Sequence, residues 1–155
     1  MRIDKNTELS DAQAVTVDAI SANVIARDGL GLSPNDTQNL GAPAHLFFVI
    51  TCAVEPTDGD TIQFSLESAT NEALSSGAVV HWQSAAISTT TIKAGQTLAV
   101  IPLPNADYKD YIGGRYNVGT GPMAAGAYNM FITNEPNTFR TFKHGSDSVN
   151  DYPAT

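Results

Sequence analysis

Residues Thr61–Glu67 alternate without a break: Ile62, Phe64 and Leu66 are apolar, while Thr61, Gln63, Ser65 and Glu67 are polar. A period of two places the apolar set on one face of a pleated strand and the polar set on the other. A helix needs apolar spacings of three and four, and no stretch of the chain sustains them. Short runs of this kind, cut by Gly and Pro turns, recur along the sequence and confine it to an all-β architecture.

Ala14–Ile25 reads as one or two strands, interrupted near Asp18–Ser21. Arg27–Pro43, with Gly29, Gly31, Pro34, Gly41 and Pro43, reads as a long loop. Ala44–Val54 is a central strand. Leu46, Phe48, Ile50, Cys52 and Val54 share one face, and Phe47, Val49 and Ala53 are apolar on the other, so both faces are expected to be covered. Further strands are expected at Thr61–Ser68, Gly77–Gln83 with Val80 and Trp82 on one side, Ala86–Ile92, Thr97–Leu103, Asp107–Val118 and Ala127–Thr133. That makes about eight strands and predicts an antiparallel β-sandwich, jelly-roll-like. An immunoglobulin-like sandwich is the alternative, but its cysteine pair is missing.

A chain of 155 residues suits one domain. The sandwich is assigned to residues 14–133, between an N-terminal arm, 1–13, and a polar C-terminal tail, 134–155. Only 15% of residues are charged, which leaves a neutral polar surface, and the net charge is −8. The eight basic residues are scattered, so the chain has no stripe to meet a phosphate backbone, and direct nucleic-acid binding is not expected. Cys52 is the only cysteine and lies in an apolar strand, where a buried, inert thiol is expected. The polar N-terminus has no apolar signal core, and the longest apolar run is too short for a bilayer, so no cleaved export signal and no membrane partner are expected.

No constellation adds up to a reaction centre. His45, His81 and His144 lack metal-ligand spacing. Asp58 and Asp60 flank Gly59 like the start of a calcium loop, but no later acidic ligand follows, and a tight turn is the better reading. The glycine-rich segment Gly113–Gly126 lacks the ending of a phosphate loop and reads as strand curvature and turns. Trp82, Tyr108, Tyr111 and Tyr116 could stack on a sugar, yet Trp82 and Tyr116 fall in phase with core positions. No cofactor is expected.

Two stretches carry a resemblance. The first is Ser10–Ile25, SDAQAVTVDAISANVI, followed after a loop by Leu40–Thr51, LGAPAHLFFVIT. The second is Ala99–Pro104, AVIPLP, leading to RYNVGTGPMAAGAY. In order and spacing they resemble the capsid cement (decoration) proteins of tailed phages typified by the Bordetella podovirus. The similarity runs over roughly residues 4–133; the Arg27–Asn39 loop is longer than the family pattern, and the Asn134–Thr155 tail departs from it.

The resemblance implies a non-enzymatic jelly-roll protein, made in the host cytoplasm and placed on the outside of the head. It implies the major capsid protein as partner, and self-association, with a homodimer favoured over a trimer. On this reading the arms order on the capsid, with Leu9, Asp11 and Gln13 as contacts from the first arm. Phe139, Phe142 and Tyr152 are expected anchors in the tail, with Arg140 and Lys143 as polar contacts. A phage receptor- or carbohydrate-binding module is the competing reading. A small-molecule jelly-roll enzyme is a third, and it would need the clustered His and Glu ligands the sequence lacks.

Overall fold

In the computed structural model the described residues are 5–27 and 46–136. Ten strands form among them: β1 Glu8–Ala14, β2 Ala19–Ile20, β3 Ile25–Ala26, β4 Phe47–Thr57, β5 Thr61–Ala69, β6 Val79–Gln83, β7 Ile87–Ser88, β8 Thr97–Pro102, β9 Tyr111–Val118 and β10 Ala125–Thr133. Two 3-10 turns, Lys5–Thr7 and Thr89–Thr91, complete the described elements, and none is an α-helix.

One sheet has the order β1-β10-β4-β8 and the other β2-β9-β5-β6, with β3 also on β9 and β7 also on β5; all pairings are antiparallel. If β2 and β3 count as one strand position, and β6 and β7 as another, eight positions remain. Their alternation between the sheets is that of a jelly roll.

The core lies between the sheets. Phe48, Ile50 and Cys52 of β4 and Tyr128, Met130 and Ile132 of β10 meet Ile62, Phe64 and Leu66 of β5 and Ile112 and Tyr116 of β9. The alternating residues of β5 therefore point as their period dictates. At the centre, Phe64 stands edge-on to Tyr116 at 5.9 Å and to Tyr128 at 5.2 Å. The hydroxyls of Tyr116 and Tyr128 are buried without a hydrogen-bond partner. Burial pushes both phenols well above their ordinary range, and the Cys52 thiol adds to the rise at Tyr128. The Ser10 hydroxyl itself donates to Gln13 Oε1 at 2.7 Å.

The expectation that β4 is covered on both faces holds at Val49 and fails at Val54, which is 50% exposed beyond the register shift between Ala127 and Tyr128. Val49 and Phe131 are opposite each other, out of phase with the core residues, and both are buried, at 0% and 1% exposure. The glycines of β9 serve close approach more than curvature. A Cβ on Gly113 would meet Leu74 Cδ1 at 2.6 Å on the outer side, and one on Gly114 would collide with Met130 Sδ on the core side.

Several boundaries differ from the sequence reading. Residues 8–13 are sheet, not arm: β1 pairs with β10, and Leu9 is buried in the core. Val80 and Trp82 do not share a side, because the ladder slips between Leu66 and Glu67 and leaves His81 as an extra residue. Trp82 consequently packs edge-on against Phe48, at 5.9 Å, while Val80 is half exposed. The expected strand Ala86–Ile92 is only two residues long before a 3-10 turn begins. The expected strand from Asp107 starts at Tyr111, since buried Tyr108 donates its hydroxyl to Pro104 O and holds that segment as a loop.

Candidate functional site

Three places concentrate polar chemistry, and each is spent on structure. Ser68 Oγ lies 2.6 Å from His81 Nε2, a distance that would suit a nucleophile and its base. Ser68 is fully buried, however, and its oxygen also accepts the Lys109 backbone N–H at 3.0 Å. The His81 ring lies 4.1 Å from that of Tyr108. The pair thus ties β5, β6 and the loop before β9 together, with no route for a substrate to the hydroxyl.

Burial holds the His81 pKa below its ordinary value of 6.5. The folded state then binds fewer protons than the unfolded state, so His81 contributes stability that is complete above pH 6.5 and is lost as pH falls toward its depressed folded value. We expect the urea midpoint to fall between about pH 7 and pH 5.5, and His81→Asn to flatten that slope. An unchanged slope in the variant would assign it to other groups.

The second place is the outer face of the β5–β9 pair. Arg115 Nε donates to both carboxylate oxygens of Glu67, at 3.0 and 2.9 Å, and its Nη2 donates to Leu74 O at 3.0 Å. Ser65 Oγ donates to the same carboxylate at 2.9 Å. Glu67 is nearly buried, so this is a structural lock with its acceptors filled. The third place is Cys52, whose thiol burial, and secondarily Glu55, pushes up and away from the reactive thiolate form. Among the described residues no group of three or more His, Cys, Asp or Glu could hold a metal ion, and no helix is long and apolar enough to cross a membrane.

Asp58 sits at a positive φ of 54°, and the turn it forms is closed by Thr89 Oγ1 donating to Gly59 O at 2.7 Å. Tyr108 and Tyr116 are buried and Trp82 packs on Phe48, so these aromatics do not assemble a stacking platform.

Of the expected contact residues, Leu9 faces the core and is removed as a partner contact by its own burial. Gln13 is engaged within the fold: its amide nitrogen donates to Ile20 O at 2.8 Å and its oxygen accepts Ala22 N–H at 2.7 Å. It staples β1 to the opposite sheet. Asp11 is exposed on β1. Beside it Ala12 has φ 43° and donates its N–H to Asn129 Oδ1 at 2.6 Å. Two shallow clefts, of about 460 and 400 Å³, flank the Ser21–Ala26 segment near this edge and share Asn23 and Val24. Phe139, Arg140, Phe142, Lys143 and Tyr152 lie outside the described residues.

The sequence reading missed the exposed apolar edge at Val79 and Val80, 40% and 51% exposed. The signal was present as two adjacent valines, but their exposure depends on the bulge at His81.

The family model that matches this chain is Bbp16, and it matches residues 9–132. Those residues run from the second residue of β1 to the penultimate residue of β10, so the match spans the whole sandwich. No curated protein matches.

Proposed function

The chain belongs to the Bbp16 family, the cement-protein family of Bordetella phage BPP-1, and on that premise we propose that it binds the outer surface of the mature head and clamps neighbouring major capsid subunits. Family membership implies a structural capsid cement protein at the virion surface. The clamping, the contacts and the homodimer are our reading. The observation that carries it is the family match from one end of the sandwich to the other.

The physical account fits that role. A two-sheet sandwich sealed by a continuous aromatic and aliphatic core is a rigid body, and rigid bodies transmit load between the subunits they join. The Ser68–His81 and Glu67–Arg115 groups are satisfied within the fold. A modest contact repeated over an icosahedral shell, with each copy touching two capsid subunits, sums to a large stabilisation. We assign the capsid contacts to residues 1–7, to Asp11 on exposed β1, and to the tail. Phe139, Phe142 and Tyr152 are the apolar anchors and Arg140 and Lys143 the polar contacts. Residues 133–155 lie beyond the family match, which suits a segment adapted to one particular capsid surface.

Co-sedimentation tests the reading. Purified protein should bind expanded, cement-free heads of its phage saturably, in a fixed ratio to capsid subunits, and should bind unexpanded procapsids weakly. A chain truncated after Pro136 should keep its fold and lose binding. Absence of binding to both shells would sink the proposal.

A further inference from the structure

Residues 73–106 hold none of the 16 carboxylates of this acidic chain. They build β6, β7 and β8, the last strands of the two sheets. Trp82 of β6 packs on Phe48 of β4, and Trp82, Ile87, Leu98 and Ile101 all meet the same core. The acid-free segment therefore forms one continuous flank of the sandwich. Lys93, its only Lys or Arg, is paired with Glu55 of β4 at 2.5 Å. The opposite flank, where Leu9 O accepts the Asn23 N–H, carries Glu8, Asp11 and Asp18.

The strand edges differ in the same sense. Exposed edges are commonly protected by bulges, charges, proline or short length. β1 has two register shifts and carries Glu8 and Asp11. β8 ends in Pro102, and β2, β3 and β7 are two residues each. β6 is five residues, VVHWQ, with no formal charge and no proline; it carries one register shift, at His81, and it ends its sheet. Val79 and Val80 are two of the four large hydrophobics exposed among the described residues. The strand is also held firmly in place, by Trp82 on Phe48 and His81 on Ser68, so little ordering remains to be done on docking.

We propose that this flank is the docking surface for a second copy of the same chain, joined edge to edge through β6. The proposal rests on the homodimer reading above and gives it a surface. Charge selects the occupant. Two copies of net charge −8 repel, but at physiological ionic strength screening confines that repulsion to charges within about 8 Å. Contact through the acid-free flank keeps unpaired carboxylates off the interface, since the two beside it, Glu55 and Glu67, are already paired with Lys93 and Arg115. Self-pairing also fills the edge of β6 that no other strand among the described residues takes, and covers Val79 and Val80 in a two-fold, self-complementary contact.

Sedimentation equilibrium of the full chain, without capsid, tests it. The protein should be a dimer. Val79→Lys/Val80→Lys should raise the dimer dissociation constant by about tenfold or more, while Val17→Lys on the opposite flank should leave it unchanged. Val80→Thr keeps strand propensity and should weaken the dimer less, which separates loss of contact from loss of fold. A wild-type chain that is monomeric at about 100 μM would overturn the proposal. So would a dimer indifferent to the lysines, or a lysine variant that still dimerises but no longer binds heads, which would give the flank to the capsid. The monomer and the indifferent dimer are read without heads: the first sinks the homodimer reading together with this surface, the second sinks the surface alone, and neither touches head binding.

Discussion

Phe64→Ala is expected to destabilise the sandwich by about 3–5 kcal/mol, the range for emptying an aromatic site in a packed core. Phe64 is 1% exposed and its ring is flanked by Tyr116 and Tyr128, themselves 5.8 Å apart. Removing it deletes two edge-on ring contacts, worth about 0.5–1.5 kcal/mol each beyond the lost burial. Neither tyrosine can collapse into the space without moving β9 or β10. The surroundings of Gly114 leave little room for that movement, because Met130 Sδ already fills the space a Cβ there would occupy. Tyr128→Phe is the matching control. It keeps the ring and deletes a buried hydroxyl that has no partner, so it should be neutral or stabilising by up to about 1 kcal/mol. Chemical denaturation of both variants checks the pair. A large loss in Tyr128→Phe would mean the hydroxyl is bound in the native state.

Arg115→Met is expected to cost about 2–4 kcal/mol, somewhat below the usual range for breaking a buried ion pair. The discount follows from exposure, since the Arg115 side chain is 31% exposed and that of Glu67 only 5%. The cost arises from Glu67, which is left with a negative charge in a nearly buried site and only the Ser65 hydroxyl donating to it. Leu74 O loses its donor as well. Adding Glu67→Met to the same chain should restore much of the loss, because an apolar pair of similar volume carries no unpaired charge. Urea denaturation of the two single variants and the double variant gives the coupling. A double variant as unstable as Arg115→Met alone would show that the arginine acts through packing and not through its charge.

The sequence exposed the fold where a period was strict. The alternation of Thr61–Glu67 gave β5 its facing, and the apolar residues on both sides of Ala44–Val54 anticipated the cover on both faces of β4 at Val49 but not the exposure of Val54. It concealed β1 because ELSDAQA has a single large apolar residue, Leu9, and fixes its polar side chains by hydrogen bonds to the chain itself. It misplaced Val80 because a one-residue bulge reverses the facing of a strand, and nothing local in GAVVHWQ marks where the ladder slips. The Glu67–Arg115 lock was illegible for a different reason: its members are 48 positions apart and meet only through the β5–β9 register. The candidate contact surface was least legible. Docking residues need no periodicity, and the acid-free flank shows itself only when two sheet ends are seen to lie side by side.

Calorimetry of expanded, cement-free heads tests whether the bound protein bears load. Heads should be melted alone and with saturating protein. The temperature of capsid disruption should rise with added protein and level off at a fixed ratio of protein to capsid subunits. A disruption temperature that stays the same while the protein is bound would contradict clamping, and the chain would then be a surface decoration that bears no load.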